Sequence, residues 1–141
     1  MEQRLTIVTL GVNDLKIASD FYENKFGWKK TKSSNEHIVF FQLNGILLSL
    51  YPRKKLADDA NVSVEGSGFE GLTLAYNTRT KEDVDELIET LENKGVKIVK
   101  RPEDAVWGGY SSYVADMDDN LWEIAFNPFL SLDENGNTSE E

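Results

Sequence analysis

The order of elements in this chain predicts an α+β fold built from two tandem βαβββ modules. Three observations carry that prediction. A strand-like run followed by a helix-like run and more strands occurs twice. A polar stretch containing Gly66 and Gly68 separates the two occurrences. Each half then closes on a similar apolar strand, Asn44-Gly45-Ile46-Leu47-Leu48-Ser49-Leu50-Tyr51-Pro52 in the first and Asp119-Asn120-Leu121-Trp122-Glu123-Ile124-Ala125-Phe126-Asn127-Pro128 in the second. Helices on one side of each sheet leave a concave face on the other. Two such faces set opposite one another are expected to form a groove for a small molecule.

The first module spans residues 4–52. Thr6, Ile7, Val8 and Thr9 are mostly β-branched, which predicts a strand over 5–12. Asn13-Asp14 supplies an N-cap oxygen for the helix that follows. Ile17, Phe21 and Lys25, with Ala18 and Tyr22 beside them, form the apolar stripe of that helix. Gly27 suits the left-handed conformation that closes it. Strands are predicted over 28–32, 37–43 and 46–51, and Asn44-Gly45 between the last two is a strong hairpin signal because both residues tolerate positive φ. Residues 53–68 read as a connector, with one or two helical turns over 54–60.

The second module spans residues 69–128. A strand is predicted over 71–76, and Thr80 with Asp83 three residues later reads as a helix entry. Val84, Leu87, Ile88 and Leu91 follow helical spacing up to Gly95. Strands are predicted over 96–100, 110–115 and 121–126, with a turn over 116–120. The halves also match in letters: Thr9-Leu10 with Thr73-Leu74, Glu23-Asn24-Lys25 with Glu92-Asn93-Lys94, and Pro52 with Pro128. Residues 1–132 are read as one domain, and the acidic segment 133–141, which lacks apolar periodicity, as a disordered tail.

Composition narrows the function. With 141 residues, 40% of them hydrophobic, the chain can bury a core. It has no cysteine, which removes disulfides, thiolate zinc sites and a cysteine nucleophile, and fits a cytoplasmic location. A net charge of −10 disfavours nucleic acid and anionic membrane as partners and favours a cationic small molecule. No apolar run reaches the roughly 20 residues that a membrane span requires, and residues 1–4 lack a basic start followed by an apolar core. No Gly-x-Ser-x-Gly occurs and no helix carries paired histidines, so hydrolase and zinc-protease readings have no support.

The two modules, Val12-Asn13-Asp14-Leu15 followed by Phe21-Tyr22 and Phe26-Gly27, and the closing Asp119-Asn120-Leu121-Trp122-Glu123-Ile124 resemble the vicinal oxygen chelate superfamily over about residues 4 to 128. That group includes glyoxalase I, extradiol dioxygenases, fosfomycin-resistance enzymes and bleomycin-binding proteins. The stretch from Trp107-Gly108-Gly109-Tyr110 through Trp122-Glu123 looks most like its glyoxalase-like members. The resemblance implies a divalent metal held by His, Glu or Gln from the first and last strands of each module. Carried over by position, those ligands fall at Ile7, at Gly71, at Leu47 or Leu48, and at Glu123. Only Glu123 can bind a metal, and one carboxylate is short of the three or four protein ligands a tight site needs. The sole histidine, His37, is at none of these positions. No metal site and no cofactor are therefore predicted.

Glu123 is the candidate catalytic or anchoring residue, since the resemblance puts it on the concave side, opposite to Trp122 and Ile124 in strand alternation. Trp107, Tyr110, Tyr113, Phe40 and Trp122 are the candidate substrate-binding residues. Trp107 precedes two glycines and so belongs at a loop mouth, whereas register leaves open which of the others face inward. The expected function is binding of a small molecule in the groove between the modules without the usual metal. Two alternatives stay open: a lyase or dioxygenase of the same superfamily using Glu123 as general base or metal ligand, and a drug-sequestering protein of the bleomycin-resistance type. The resemblance also implies a homodimer.

Overall fold

The computed structural model describes residues 7–60, 63–66, 70 and 72–139. The chain divides into two compact units, Met1–Gly68 and Phe69–Glu141. The fold is α+β, with mixed parallel and antiparallel strands in both principal sheets.

In the first unit the elements are β1 (Ile7–Val12), α1 (Leu15–Asn24), β2 (Val39–Gln42), β3 (Leu47–Pro52) and α2 (Arg53–Ala60). Their sheet order is β1-β3-β2, with β1 parallel and β2 antiparallel to β3. The side chain of Asp14 caps α1, accepting the Ile17 N–H at 2.9 Å. Ala18, Phe21 and Tyr22 are buried together with Leu10, Val12, Val39, Phe41, Leu48 and Leu50, which makes one side of this sheet the core side. The apolar stripe is rotated from the sequence expectation, since Ile17 is 51% exposed. The turn at Asn44-Gly45 forms as expected, with Gly45 at φ 76 and the Leu43 N–H donating to Ile46 O.

The strand expected over 28–32 does not form; its only pairing among the described residues is one bridge between Lys30 and Phe41. The cause is aromatic packing. Trp28 N–H donates back to Tyr22 O, and the Trp28 ring sits 5.4–5.7 Å from the rings of Tyr22, Phe26 and Phe41. Ser34 then occupies the edge of β2, its hydroxyl accepting from Phe40 N–H and donating to Phe40 O.

In the second unit the elements are β4 (Thr73–Asn77), α3 (Lys81–Asn93), β5 (Lys97–Asp104), β6 (Tyr110–Ala115), β7 (Leu121–Phe126), β8 (Ser131–Leu132) and β9 (Thr138–Ser139). The main sheet has the order β4-β7-β6-β5. Thr80 and Asp83 form a reciprocal capping box at the start of α3. Val84, Ile88 and Leu91 are buried on the side of α3 that meets β5, β6 and β7. Strand β5 runs past the expected end at Lys100. It is an edge strand whose register shifts around Pro102, and an edge is where a residue without an N–H is tolerated.

The segment expected to be a disordered tail is structured through residue 139. Strands β8 and β9 pair around a turn in which Asp133 Oδ1 accepts the N–H groups of Asn135 and Asn137, both at 2.8 Å. Arg79 holds this hairpin, its guanidinium donating to the carbonyls of Leu132 and Asp133. Apolar periodicity does not reveal such a segment, because polar turns and one arginine stabilise it. No helix among the described residues is long and apolar enough to cross a membrane.

Candidate functional site

Strand alternation sorts the second sheet into two faces. Trp122, Ile124, Ser112 and Val114 are buried, and Tyr110 on the same side reaches α3, its hydroxyl donating to Asp85 Oδ1 at 2.8 Å. That is the helix-covered face. The opposite face receives Thr73, Ala75 and Asn77 from β4, Leu121, Glu123 and Ala125 from β7, and Ser111, Tyr113 and Ala115 from β6.

Glu123 lies at the centre of this face, between Ala75 on β4 and Tyr113 on β6; the face is open along β4, where Thr73 and Ala75 are exposed, whereas Ser111, Ala115 and Ala125 are buried. Ser111 donates its hydroxyl hydrogen to Glu123 Oε1 at 2.7 Å across the diagonal of the β6–β7 pair. The other carboxylate oxygen has no protein hydrogen bond among the described residues, yet no side-chain polar atom there is both buried and unpartnered. Glu123 itself is half-buried. Lys100 on β5 pairs with Glu103 at 2.6 Å and lies beside Tyr113. Its ammonium is held above the ordinary lysine range by the hydrogen bond to Glu103, with the charges of Glu103, Tyr113 and Glu123 adding to it.

Trp107 joins the same face by an indirect route. The loop from β5 to β6 closes with Ala105 N–H donating to Gly109 O and Gly108 N–H donating to Ala105 O. The pairing of Ala105 with Gly109 continues the register of Asp104 with Tyr110, so Gly109 points the way Ser111 does. A Cβ placed on Gly109 would overlap the six-membered ring of Trp107. The indole thus fills the place of a side chain at position 109, in line with Ser111, and is 45% exposed.

The candidate residues accordingly divide. Glu123, Tyr113 and Trp107 share the open face of the second sheet. Tyr110 and Trp122 do not: both lie on the helix-covered side, where Trp122 is 5% exposed within the core and Tyr110 serves Asp85. The Tyr110 hydroxyl is pushed above the ordinary tyrosine range by that hydrogen bond first, and by desolvation and the carboxylate charge after it. Phe40 lies on the face of the first sheet turned away from α1, opposite Ser49 and out of phase with Phe41, which packs against Tyr22. Sequence reading missed Ser111, which orients Glu123, and the pair of Thr9 and Ser49, whose hydroxyl oxygens are 2.6 Å apart on that same face of the first sheet. No sequence signal marks Ser111, because its side of the sheet depends on the phase of β6.

The donor set does not fit the divalent metal that the resemblance implies. Glu123 is the third residue of β7, and the third residue of β3 is Ser49, not Leu47 or Leu48. Leu48 in fact points to the core side of its sheet. Ile7 and Gly71 offer no ligating side-chain atom, and Gly71 lies outside the described residues. Among the described residues no three of His, Cys, Asp or Glu come together as a metal cage. His37 is exposed, ahead of β2 and beside Glu36.

Comparison with known proteins agrees with this architecture. Residues 4–124 match the family model of the Glyoxalase/Bleomycin resistance protein/Dioxygenase superfamily. The uncharacterised protein YraH of Bacillus subtilis (strain 168) is 29% identical over 126 residues, covering 86% of this chain and 96% of that protein. The crystal structure of a glyoxalase-related enzyme from Fulvimarina pelagi is similar at 34% identity and a TM-score of 0.85, covering 98% of both chains. The fosfomycin resistance protein FosX from Listeria monocytogenes is similar at 26% identity and a TM-score of 0.68, covering 90% of this chain and 95% of that one. Matched over residues 4–124, the chain belongs to the glyoxalase/bleomycin resistance protein/dioxygenase superfamily.

Proposed function

We propose that this protein binds a small organic molecule on the open face of its second sheet, anchored by Glu123, and that it does so without a divalent metal. One observation carries the reading. Among the residues that β4, β6 and β7 give to this face, Glu123 alone is charged at neutral pH; Ser111 positions one of its oxygens, and the other accepts no hydrogen bond among the described residues. Alanine, leucine and hydroxyl side chains surround this carboxylate, and Lys100, the cation on its β5 side, is paired with Glu103, so its charge is screened less than in bulk water. It therefore discriminates strongly in favour of a cationic or N–H-donating group, and the net charge of −10 adds long-range attraction for cations.

Calorimetric titration with manganese, nickel and zinc tests the metal clause. No tight binding at one ion per chain is expected, and stoichiometric tight binding would overturn it. A thermal-shift screen of organic amines tests the anchor, with stabilisation expected in the parent and lost in Glu123→Gln. Turnover of hemithioacetals or catechols that disappears in Glu123→Gln would replace this reading with a lyase or dioxygenase in which Glu123 is the general base. Tight capture of a cationic glycopeptide would favour drug sequestration. The proposal includes a homodimer in the cytoplasm, and light scattering at the mass of one chain would remove the dimer from it.

A further inference from the structure

We infer that Gly109 is a positioning residue, which by lacking a side chain lets the Trp107 indole lie on the open face and makes the site selective for ligands carrying a flat ring beside a cationic nitrogen. The inference rests on the reading of Glu123 as the anchor. Gly109 and Ser111 are two residues apart along one strand, a span of about 7 Å. Ser111 in turn holds the Glu123 carboxylate at 2.7 Å. The indole and the carboxylate are therefore separated by about the reach of one aromatic ring and a short alkyl-ammonium arm.

The indole occupies the space that the missing Cβ of Gly109 leaves. The three nearest atoms to a Cβ on Gly109 all belong to the Trp107 ring. Gly108 takes φ +98, and a Cβ there would come within 3.3 Å of the Phe129 ring, so Phe129 buttresses the turn that carries Trp107. Two backbone hydrogen bonds close that turn. A methyl group at position 109 removes the seat of the indole, whereas the backbone at 109, which is not in the left-handed region, accepts alanine.

The probes are benzylammonium and cyclohexylmethylammonium, which share charge and size but differ in planarity. Wild-type protein is expected to bind the aromatic amine about fivefold more tightly, the scale of one aromatic contact. Gly109→Ala and Trp107→Leu should each bring that ratio close to one. Glu123→Gln should weaken both amines alike and leave the ratio unchanged. The Trp107 part of the emission, taken as the difference between wild type and Trp107→Phe, should shift in Gly109→Ala. The double variant Trp107→Leu/Gly109→Ala should be as stable as Trp107→Leu alone, which separates a displaced indole from a misfolded chain. Unchanged selectivity and emission in Gly109→Ala would overturn the positioning role. Binding that needs Glu123 but ignores planarity would overturn the ligand class alone. Failure of both amines to bind, or binding indifferent to Glu123, would bring down the anchor reading and the ligand class with it, while the emission spectrum would still decide where the indole sits.

Discussion

The turn between β6 and β7 decides whether Ser111 meets Glu123, and it is closed by one carboxylate. Asp116 is 5% exposed. Its Oδ1 accepts the N–H groups of Asp118 and Asn120, both at 2.9 Å, and its Oδ2 accepts the Asn120 side-chain amide at 2.8 Å. Within the turn Asp119 takes φ 61, a left-handed conformation that disfavours a side chain by about 1–2 kcal/mol. Asp116→Ala strips the acceptor from all three donors. Hydrogen bonds to a charged group contribute about 1.5–3 kcal/mol each, so a simple sum reaches roughly 4.5–9 kcal/mol. Asp118 and Asn120, which carry the freed donors, are only half-buried, however, and water replaces part of what is lost, so the expected loss is about 3 kcal/mol. Asp116→Asn keeps an oxygen for the two backbone donors but sets its own NH2 against the Asn120 amide, at a cost of about 1–2 kcal/mol. Urea unfolding followed by tryptophan emission measures both, with Trp122 on β7 as a reporter. The midpoint of thermal unfolding should fall by about 6–12 °C in Asp116→Ala. A loss within about 0.5 kcal/mol for Asp116→Ala, or a larger loss for the asparagine variant, would refute the assignment of Asp116 as the clasp of this turn.

The same reasoning extends to two further sites. Ser49 is buried and its hydroxyl meets that of Thr9, so Thr9→Val should cost about 1–2 kcal/mol while Thr9→Val with Ser49→Ala stays within about 0.5 kcal/mol of wild type. Urea unfolding reads both, and a single variant as benign as the double would show that the pair contributes nothing. Asp133 is held below the ordinary carboxylate range by the side chain of Asn137 first, then by the N–H groups of Asn137 and Asn135 and the charge of Arg79. A depressed folded value means that its stabilisation of the β8–β9 hairpin is present above the free-aspartate value, about 3.9, and is lost as pH falls through the lower folded value. Amide shifts of Asn135 and Asn137 in an acid titration should move only below that value, and a transition at or above it contradicts the assignment.

Where local chemistry decides an element, the sequence was sufficient. The β-branched and aromatic runs of β6 and β7, the capping box at Thr80 and the Asn44-Gly45 turn form where their letters put them. Where tertiary packing overrides local preference, it was not. Trp28 is drawn into an aromatic cluster, which removes the strand expected there, and Pro102 does not end β5 because it lies on an edge. The candidate site followed the same division. The alternation of Trp122, Glu123 and Ile124 was readable directly, but the sides of Tyr110 and Tyr113 depended on the phase of β6, which is visible only once Tyr110 is seen to reach Asp85. Trp107 lies outside any strand, and its side is set by what Gly109 lacks.

The duplicated scaffold fixes positions but not chemistry, and the third residues of β3 and β7 show why. Ser49 and Glu123 hold corresponding places, each held by a hydroxyl from another strand of its own sheet. The partner of Ser49 is Thr9 on β1, so two short hydroxyls satisfy one another and add no charge to the face. The partner of Glu123 is Ser111 on β6, which takes one oxygen of a charged group, while the other has no hydrogen bond among the described residues. A neutral pair that is complete in itself has little to offer a ligand, whereas a half-satisfied carboxylate gains free energy from any donor that reaches it. On the proposed reading, binding capacity follows the asymmetry between the halves. A substitution that makes them more alike, Glu123→Ser, is the change that should silence the face while leaving the sheet intact.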